Sequence, residues 1–147
     1  MKIENYLKAA NILFNYRINK SRLDKLPIDL SPSNIEEAYK IQEELKKIYL
    51  TLKNNYCIGK KVGCTNKWAQ EQINVEEPFY GNLFSKYSSI SPCKLRASNF
   101  SEPYMEPEFS FRIKEDFNIS EAPFTLDKIV DWIDTVIGSV EIVDFRF

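Results

Sequence analysis

Two carboxylates stand two residues apart in the segment YMEPEFSFRI, at Glu106 and Glu108. Successive side chains on an extended strand alternate between its faces, so this spacing turns both acids to the same side. Like charges a few ångströms apart repel, and such a pair calls for a shared proton or a cation. Pro107, between them, cannot donate to a sheet ladder, which predicts an edge or a distorted strand at that point. A third acid, Glu141, lies in the strand-like run SVEIVDFRF, with Val143 and Phe145 on its face and Asp144 and Arg146 on the other. Three carboxylates completed by water make a hard oxygen site suited to Mg²⁺ or Mn²⁺. Spacing alone is met more simply by a solvated face of an amphipathic strand, because surface acids outnumber metal ligands.

Lys61 is the other residue with chemical potential. In YCIGKKVG, the alternation places Cys57, Gly59, Lys61 and Gly63 on one strand face and Tyr56, Ile58, Lys60 and Val62 on the other. Small neighbours leave room for a ligand beside Lys61. An ammonium there can hold a carboxylate, polarise a carbonyl or, if desolvated, exchange protons. A solvated surface lysine accounts for the same spacing and is the commoner case.

Other chemistries are closed off by composition. The chain has no histidine, which removes Ser/His and Cys/His nucleophile systems and histidine-based zinc sites. Catalysis must then rest on carboxylates, lysine, tyrosine or a carboxylate-bound metal. Twenty Lys and Arg balance 21 Asp and Glu, so the one-sided basic surface that nucleic acid requires is missing. Cys57, Cys64 and Cys93 are odd in number and without CxxC spacing, the pattern of a reducing cytoplasm rather than a disulfide framework. The first residues, MKIENYLKAANILF, thread charges through apolar positions, and no later window reaches membrane-spanning length, so the expectation is a soluble protein with no membrane partner.

At 147 residues and 44% hydrophobic composition, the chain can bury one substantial core, and its elements must bring these residues into place. Ile3, Tyr6, Leu7, Ala10, Leu13 and Phe14 recur at three- and four-residue intervals and predict a first amphipathic helix. Ser33 and Glu36 match the S-x-x-E capping pattern, and Ala38, Tyr39, Gln42, Leu45, Ile48 and Tyr49 continue one face of a second helix of about four turns. A strand follows from Tyr56, then a short helix capped by Thr65. Tyr104 to Ile113 reads as a strand. Thr125 predicts a helix presenting Leu126, Ile129, Val130, Ile133, Val136 and Ile137 and ended by Gly138, before SVEIVDFRF alternates again.

In that order, GKKVGCTNKWAQEQINVEEPFYGNLF, YMEPEFSFRI and SVEIVDFRF resemble successive signature blocks of the 2-keto-4-pentenoate hydratase and 4-oxalocrotonate decarboxylase family, within the fumarylacetoacetate hydrolase superfamily. AYKIQEEL in the second helix is similar to the family's N-terminal part. The resemblance implies an α+β fold. A helical part, residues 1–55, would precede residues 56–147, the N-terminal portion of a β-rich catalytic domain with a partial fumarylacetoacetate-hydrolase-like mixed β-sheet or barrel. It implies a Mg²⁺- or Mn²⁺-dependent hydratase, a carbon–oxygen lyase, acting on acids of the 2-hydroxypenta-2,4-dienoate or 2-keto-4-pentenoate type in aromatic-compound breakdown. A 4-oxalocrotonate-type 2-oxo acid decarboxylase on the same scaffold is the alternative. The family's first two metal ligands fall on Glu106 and Glu108, its third on Glu141 and its site lysine on Lys61. In the family the metal chelates the substrate's carboxylate and 2-oxo oxygen and acts as a Lewis acid.

Many hydratases of this group carry an acid directly after the proline of the P-x-x-G segment, where this chain has Phe79 in Pro78-Phe79-Tyr80-Gly81. That departure removes one candidate proton-transfer group and strengthens the decarboxylase alternative. Family members also continue past the strand bearing the third ligand, whereas Phe147 closes this chain within a strand-like alternation. The expectation is a truncated chain whose open edges and apolar faces call for a homo-oligomer or a complementing chain. A catalytically inactive fragment, or a supporting subunit, is the third reading.

Overall fold

Apolar stripes at helical spacing assemble the first part of the chain. In the computed structural model, which describes residues 1–145, helix α1 (Ile3–Ile18) packs against helix α2 (Ile35–Leu50). Arg146 and Phe147, on which the expected continuation of the last strand falls, lie outside the described residues. Tyr6, Ala9 and Ala10 of α1 meet Ile41 of α2 and Leu30, with Leu13, Leu45 and Ile48 packed around them. Fully burying a side chain such as Ile41 contributes about 1.5–3 kcal/mol. The α1 stripe is narrower than its spacing suggests, since Ile3 and Leu7 are exposed. On α2 the core-facing row runs through Ile41, Leu45 and Ile48, which leaves Tyr39 and Gln42 for a second contact.

Helix α2 begins one residue later than the S-x-x-E pattern suggests. Asn34, extended at φ −158°, is the cap, and its side chain accepts from the Glu37 N–H at 2.9 Å. Glu37 in return accepts from the Ser33 N–H at 2.9 Å and the Ser33 hydroxyl at 2.8 Å, and it pairs with the Met1 amino group. Glu37 therefore satisfies three donors and takes the place in the capping pattern that the sequence suggests for Glu36. The same one-residue correction applies to helix α3 (Lys67–Gln72), where Asn66 rather than Thr65 accepts from Ala69 N at 2.9 Å. Asparagine is the stronger cap of the two.

Strands β1 (Cys57–Gly63) and β2 (Phe79–Phe84) form an antiparallel pair that aligns Lys60 with Asn82, Lys61 with Gly81 and Gly63 with Phe79. The pair docks on α2 through the contact that Tyr39 and Gln42 provide. The Tyr39 ring stacks on Tyr80 with centroids 4.5 Å apart, Tyr80 N donates to the Tyr39 hydroxyl, and the Gln42 amide donates to the Tyr80 carbonyl at 2.8 Å. Tyr49 extends the contact at the far end, packing on Phe14, Phe84 and Tyr87. These elements belong to one compact unit, Met1–Ser101.

The second unit, Glu102–Phe145, is built on the antiparallel pair of β3 (Pro103–Ile113) and β4 (Ile133–Asp144), with helix α4 (Leu126–Trp132) between them. Thr125 caps α4 as its sequence suggests, accepting from Lys128 N. The helix stops at Trp132, however, and Ile133, Val136 and Ile137, read from the sequence as its continuation up to Gly138, are strand residues. Their β-branched side chains are stiff at χ1 and suit a pleated surface, and cross-strand pairing with β3 decides between the two periods. The Lys114 ammonium donates to the Asp131 carbonyl at 2.6 Å and Lys114 N to the Trp132 carbonyl at 2.9 Å, so the exit of β3 supplies donors to the end of α4. Phe117, Phe124 and Trp132 form a small aromatic cluster beside it. The result is a mixed helical protein with small antiparallel sheets. Both long helices precede residue 55, and the strands among the described residues follow it. No helix among the described residues is long and apolar enough to cross a membrane.

Candidate metal centre and strand lysine

The pairing of β3 with β4 sets Glu106 directly opposite Glu141 and Glu108 opposite Ser139. Opposed residues share a face, and so do residues two apart, so one face of the hairpin carries all three acids. Each offers a carboxylate oxygen, and the three oxygens lie within 4.8 Å of one another. Glu106 is exposed and Glu141 half-buried. In an octahedral Mg²⁺ shell, oxygens about 2.1 Å from the ion stand roughly 3–4.2 Å apart, and the wider Ca²⁺ shell allows roughly 5 Å. The donor set is all oxygen and carries three negative charges. A hard divalent cation fits it with small side-chain rotations, whereas a soft metal does not.

Neighbours on this face brace the hairpin. The Ser110 and Ser139 hydroxyls are hydrogen-bonded at 2.8 Å, and Ser139 Oγ also reaches the Glu108 carbonyl. Ser139 was not singled out from the sequence, although its place two residues before Glu141 on the same face was the available signal. Farther along, Arg112 pairs with Asp134 and donates to Thr135 Oγ1 at 2.8 Å. The Arg112 guanidinium holds the Asp134 carboxyl below its usual range, with the Thr135 hydroxyl assisting.

Lys61 lies in the other compact unit, on β1, where burial alternates as the spacing predicts: Cys57, Gly59, Lys61 and Gly63 are partly covered, and Ile58, Lys60 and Val62 are exposed. The two adjacent lysines have separate environments. The Lys60 ammonium donates to Asn82 Oδ1 at 2.6 Å and sits 4.9 Å from the centre of the Tyr80 ring. Lys61 faces the opposite way, across from Gly81, with Phe79 and Leu83 on the same side of β2. Phe79, where the sequence departs from the hydratase pattern, therefore shares a hairpin face with Lys61.

In sequence and fold the chain is similar to 2-keto-4-pentenoate hydratases and 4-oxalocrotonate decarboxylases. It is 30% identical over 139 residues to 2-keto-4-pentenoate hydratase of Paraburkholderia xenovorans, an alignment covering 95% of this chain and 51% of that protein. It is 25% identical over 149 residues to 4-oxalocrotonate decarboxylase of a Pseudomonas species, covering 98% of this chain and 53% of the relative. Among solved structures, 4-oxalocrotonate decarboxylase of Pseudomonas putida, complexed with magnesium and adipate, superposes with a TM-score of 0.90 at 26% identity. That match covers all of this chain and 55% of the other, and a second structure of the same enzyme is complexed with calcium and acetate. The chain spans about half the length of the relatives it matches. No family model matches it.

Proposed function

We propose that this chain carries the metal-binding part of a hydratase that acts on acids of the 2-hydroxypenta-2,4-dienoate or 2-keto-4-pentenoate type, with Glu106, Glu108 and Glu141 as ligands of Mg²⁺ or Mn²⁺. The convergence of the three carboxylates on one hairpin face, in a chain whose relatives bear hydratase and decarboxylase names, carries this reading. A cation bound there supplies Lewis-acid stabilisation of negative charge developing on a 2-oxo acid. Lys61 is the catalytic residue in this proposal. Its ammonium would hold the substrate's carboxylate or pass a proton, roles for which a partly covered strand face with small neighbours is suited. Residues 1–55 are then the helical part and residues from 56 onward the start of a catalytic domain of the fumarylacetoacetate hydrolase type. A cytoplasmic setting and assembly with a second copy or a complementing chain belong to the same proposal.

The 4-oxalocrotonate-type decarboxylase is the second reading, favoured by Phe79 standing where many hydratases carry an acid and by the fit to the decarboxylase fold. The deciding experiment follows thermal stability during titration with Mg²⁺ and Mn²⁺, beside a Glu106→Ala/Glu108→Ala variant. A ligand bound only to the folded state raises its stability by about 2.7 kcal/mol at a hundred times its Kd. A rise confined to the parent supports the site, and water addition against carbon dioxide release then separates the two reactions. An unmoved parent would sink the metal assignment.

A further inference from the structure

The chain has four glycines, and three of them surround Lys61. Gly59 and Gly63 flank it on β1, and Gly81 opposes it on β2. None has a positive φ, so none is needed for a backbone conformation closed to other residues. A strand glycine without that need weakens the strand, and it often marks a place where something approaches the backbone closely. Here the close neighbours differ from one glycine to the next. A Cβ at Gly81 would lie 3.2 Å from Lys61 Cγ and 3.6 Å from Cδ, so the lysine's stem runs across β2 over this residue. A Cβ at Gly63 would lie 3.0 Å from the Phe79 ring, which covers that end of the face. At Gly59 it would meet only the Leu83 Cδ1 methyl, at an ordinary 3.9 Å.

We propose that Gly81 is a positioning residue for Lys61, its bare Cα forming the track along which the lysine's stem crosses β2 and so fixing where the ammonium meets a substrate oxygen. The inference rests on the reading of Lys61 as the catalytic lysine for its functional meaning, but its geometry stands apart from that reading. The neighbour in question is a flexible stem. An added methyl at residue 81 would therefore be absorbed by a shift of Lys61 with little loss of folding stability, a pattern that a purely structural glycine would not give.

The test uses the full chain with its lysines reductively ¹³C-methylated, the Lys61 signal being assigned from a Lys61→Arg variant. Gly81→Ala should move the Lys61 signal, Gly59→Ala should leave it in place, and both should keep the parent's thermal midpoint. If Gly81→Ala lowers the midpoint, adding Lys61→Ala should restore it, because the crowding atom is then gone. A Lys61 signal unmoved by Gly81→Ala, one moved equally by Gly59→Ala, or a lowered midpoint that Lys61→Ala fails to restore overturns the proposal. Turnover of 2-keto-4-pentenoate with Mg²⁺ separates it from the reading beneath it. A fall in kcat of roughly ten- to a hundredfold at unchanged KM in Gly81→Ala supports both. A signal that moves in a chain whose Lys61→Arg variant turns over like the parent keeps the positioning role and removes the catalytic one.

Discussion

Three acids on one strand face are costly unless something positive lies among them, and this sets the behaviour expected of single substitutions. Glu106→Gln removes one of the mutually repelling charges. In metal-free buffer it should melt at or above the parent's midpoint, and it should lose most of the cation-induced rise, both readable in one calorimetric series. Lys61→Met should keep the full cation-induced rise while turnover falls by at least about a hundredfold, the lower range for loss of a proton-transferring group. The acids and the lysine were legible in the sequence because strand alternation is local, fixed by neighbours two residues away. Gly81 was not, because its meaning depends on which residue of a distant strand lies opposite, and that register is set by pairing rather than by the segment itself.

Among the elements, the one-residue shifts in the helix caps have a measurable consequence. Asn34→Ala should cost about 1 kcal/mol of stability, and Thr65→Ala, beside the true cap Asn66, much less, as denaturant midpoints would show. Glu37 adds a pH dependence. The Met1 ammonium, then the Ser33 amide and hydroxyl, hold its carboxyl down at about 2, against an ordinary value of 4.5. A carboxyl lowered by folding stabilises the fold above its unfolded pKa and loses that contribution as pH falls through the folded one. Stability should therefore decline between about pH 4.5 and about pH 2, and acid titrations of Glu37→Gln should be flatter in that window. The misreading of Ile133 to Gly138 as helix has its own cause. The spacing of Ile133, Val136 and Ile137 is that of a helical stripe, and pairing with the eleven-residue partner β3 overrides it.

The described residues are rich in open strand edges. Each sheet among the described residues has two strands, and a two-stranded sheet is marginal without further cover. On the hairpin face opposite the acids, Met105, Phe109, Phe111, Val136 and Val140 are all exposed, Phe109 at 77%. Contiguous apolar surface of this kind is ordinarily covered by a partner. Sedimentation over a concentration series should show association in the parent, weakened by Phe109→Lys; concentration-independent monomers would count against the assembly in the proposal. The two long helices ahead of a strand-bearing part were legible from periodicity, whereas strand β2, the start of β4 at Ile133 and the division after Ser101 were not, since pairing and compactness depend on contacts between elements distant in sequence.

The register that sets Glu106 against Glu141 also bears on kinetics. Along the chain these residues are joined only through residues 107–140, α4 among them, so an ion gripped by both would act as a reversible cross-link closing that segment. A slip of one residue would turn one strand's acid to the opposite face, and the link would not form. The cation would thus reward only the native pairing. If the grip forms after the folding barrier has been crossed, its effect would be a slower unfolding limb and an unchanged folding limb. Magnesium would then set how long the hairpin stays closed rather than how quickly it is made.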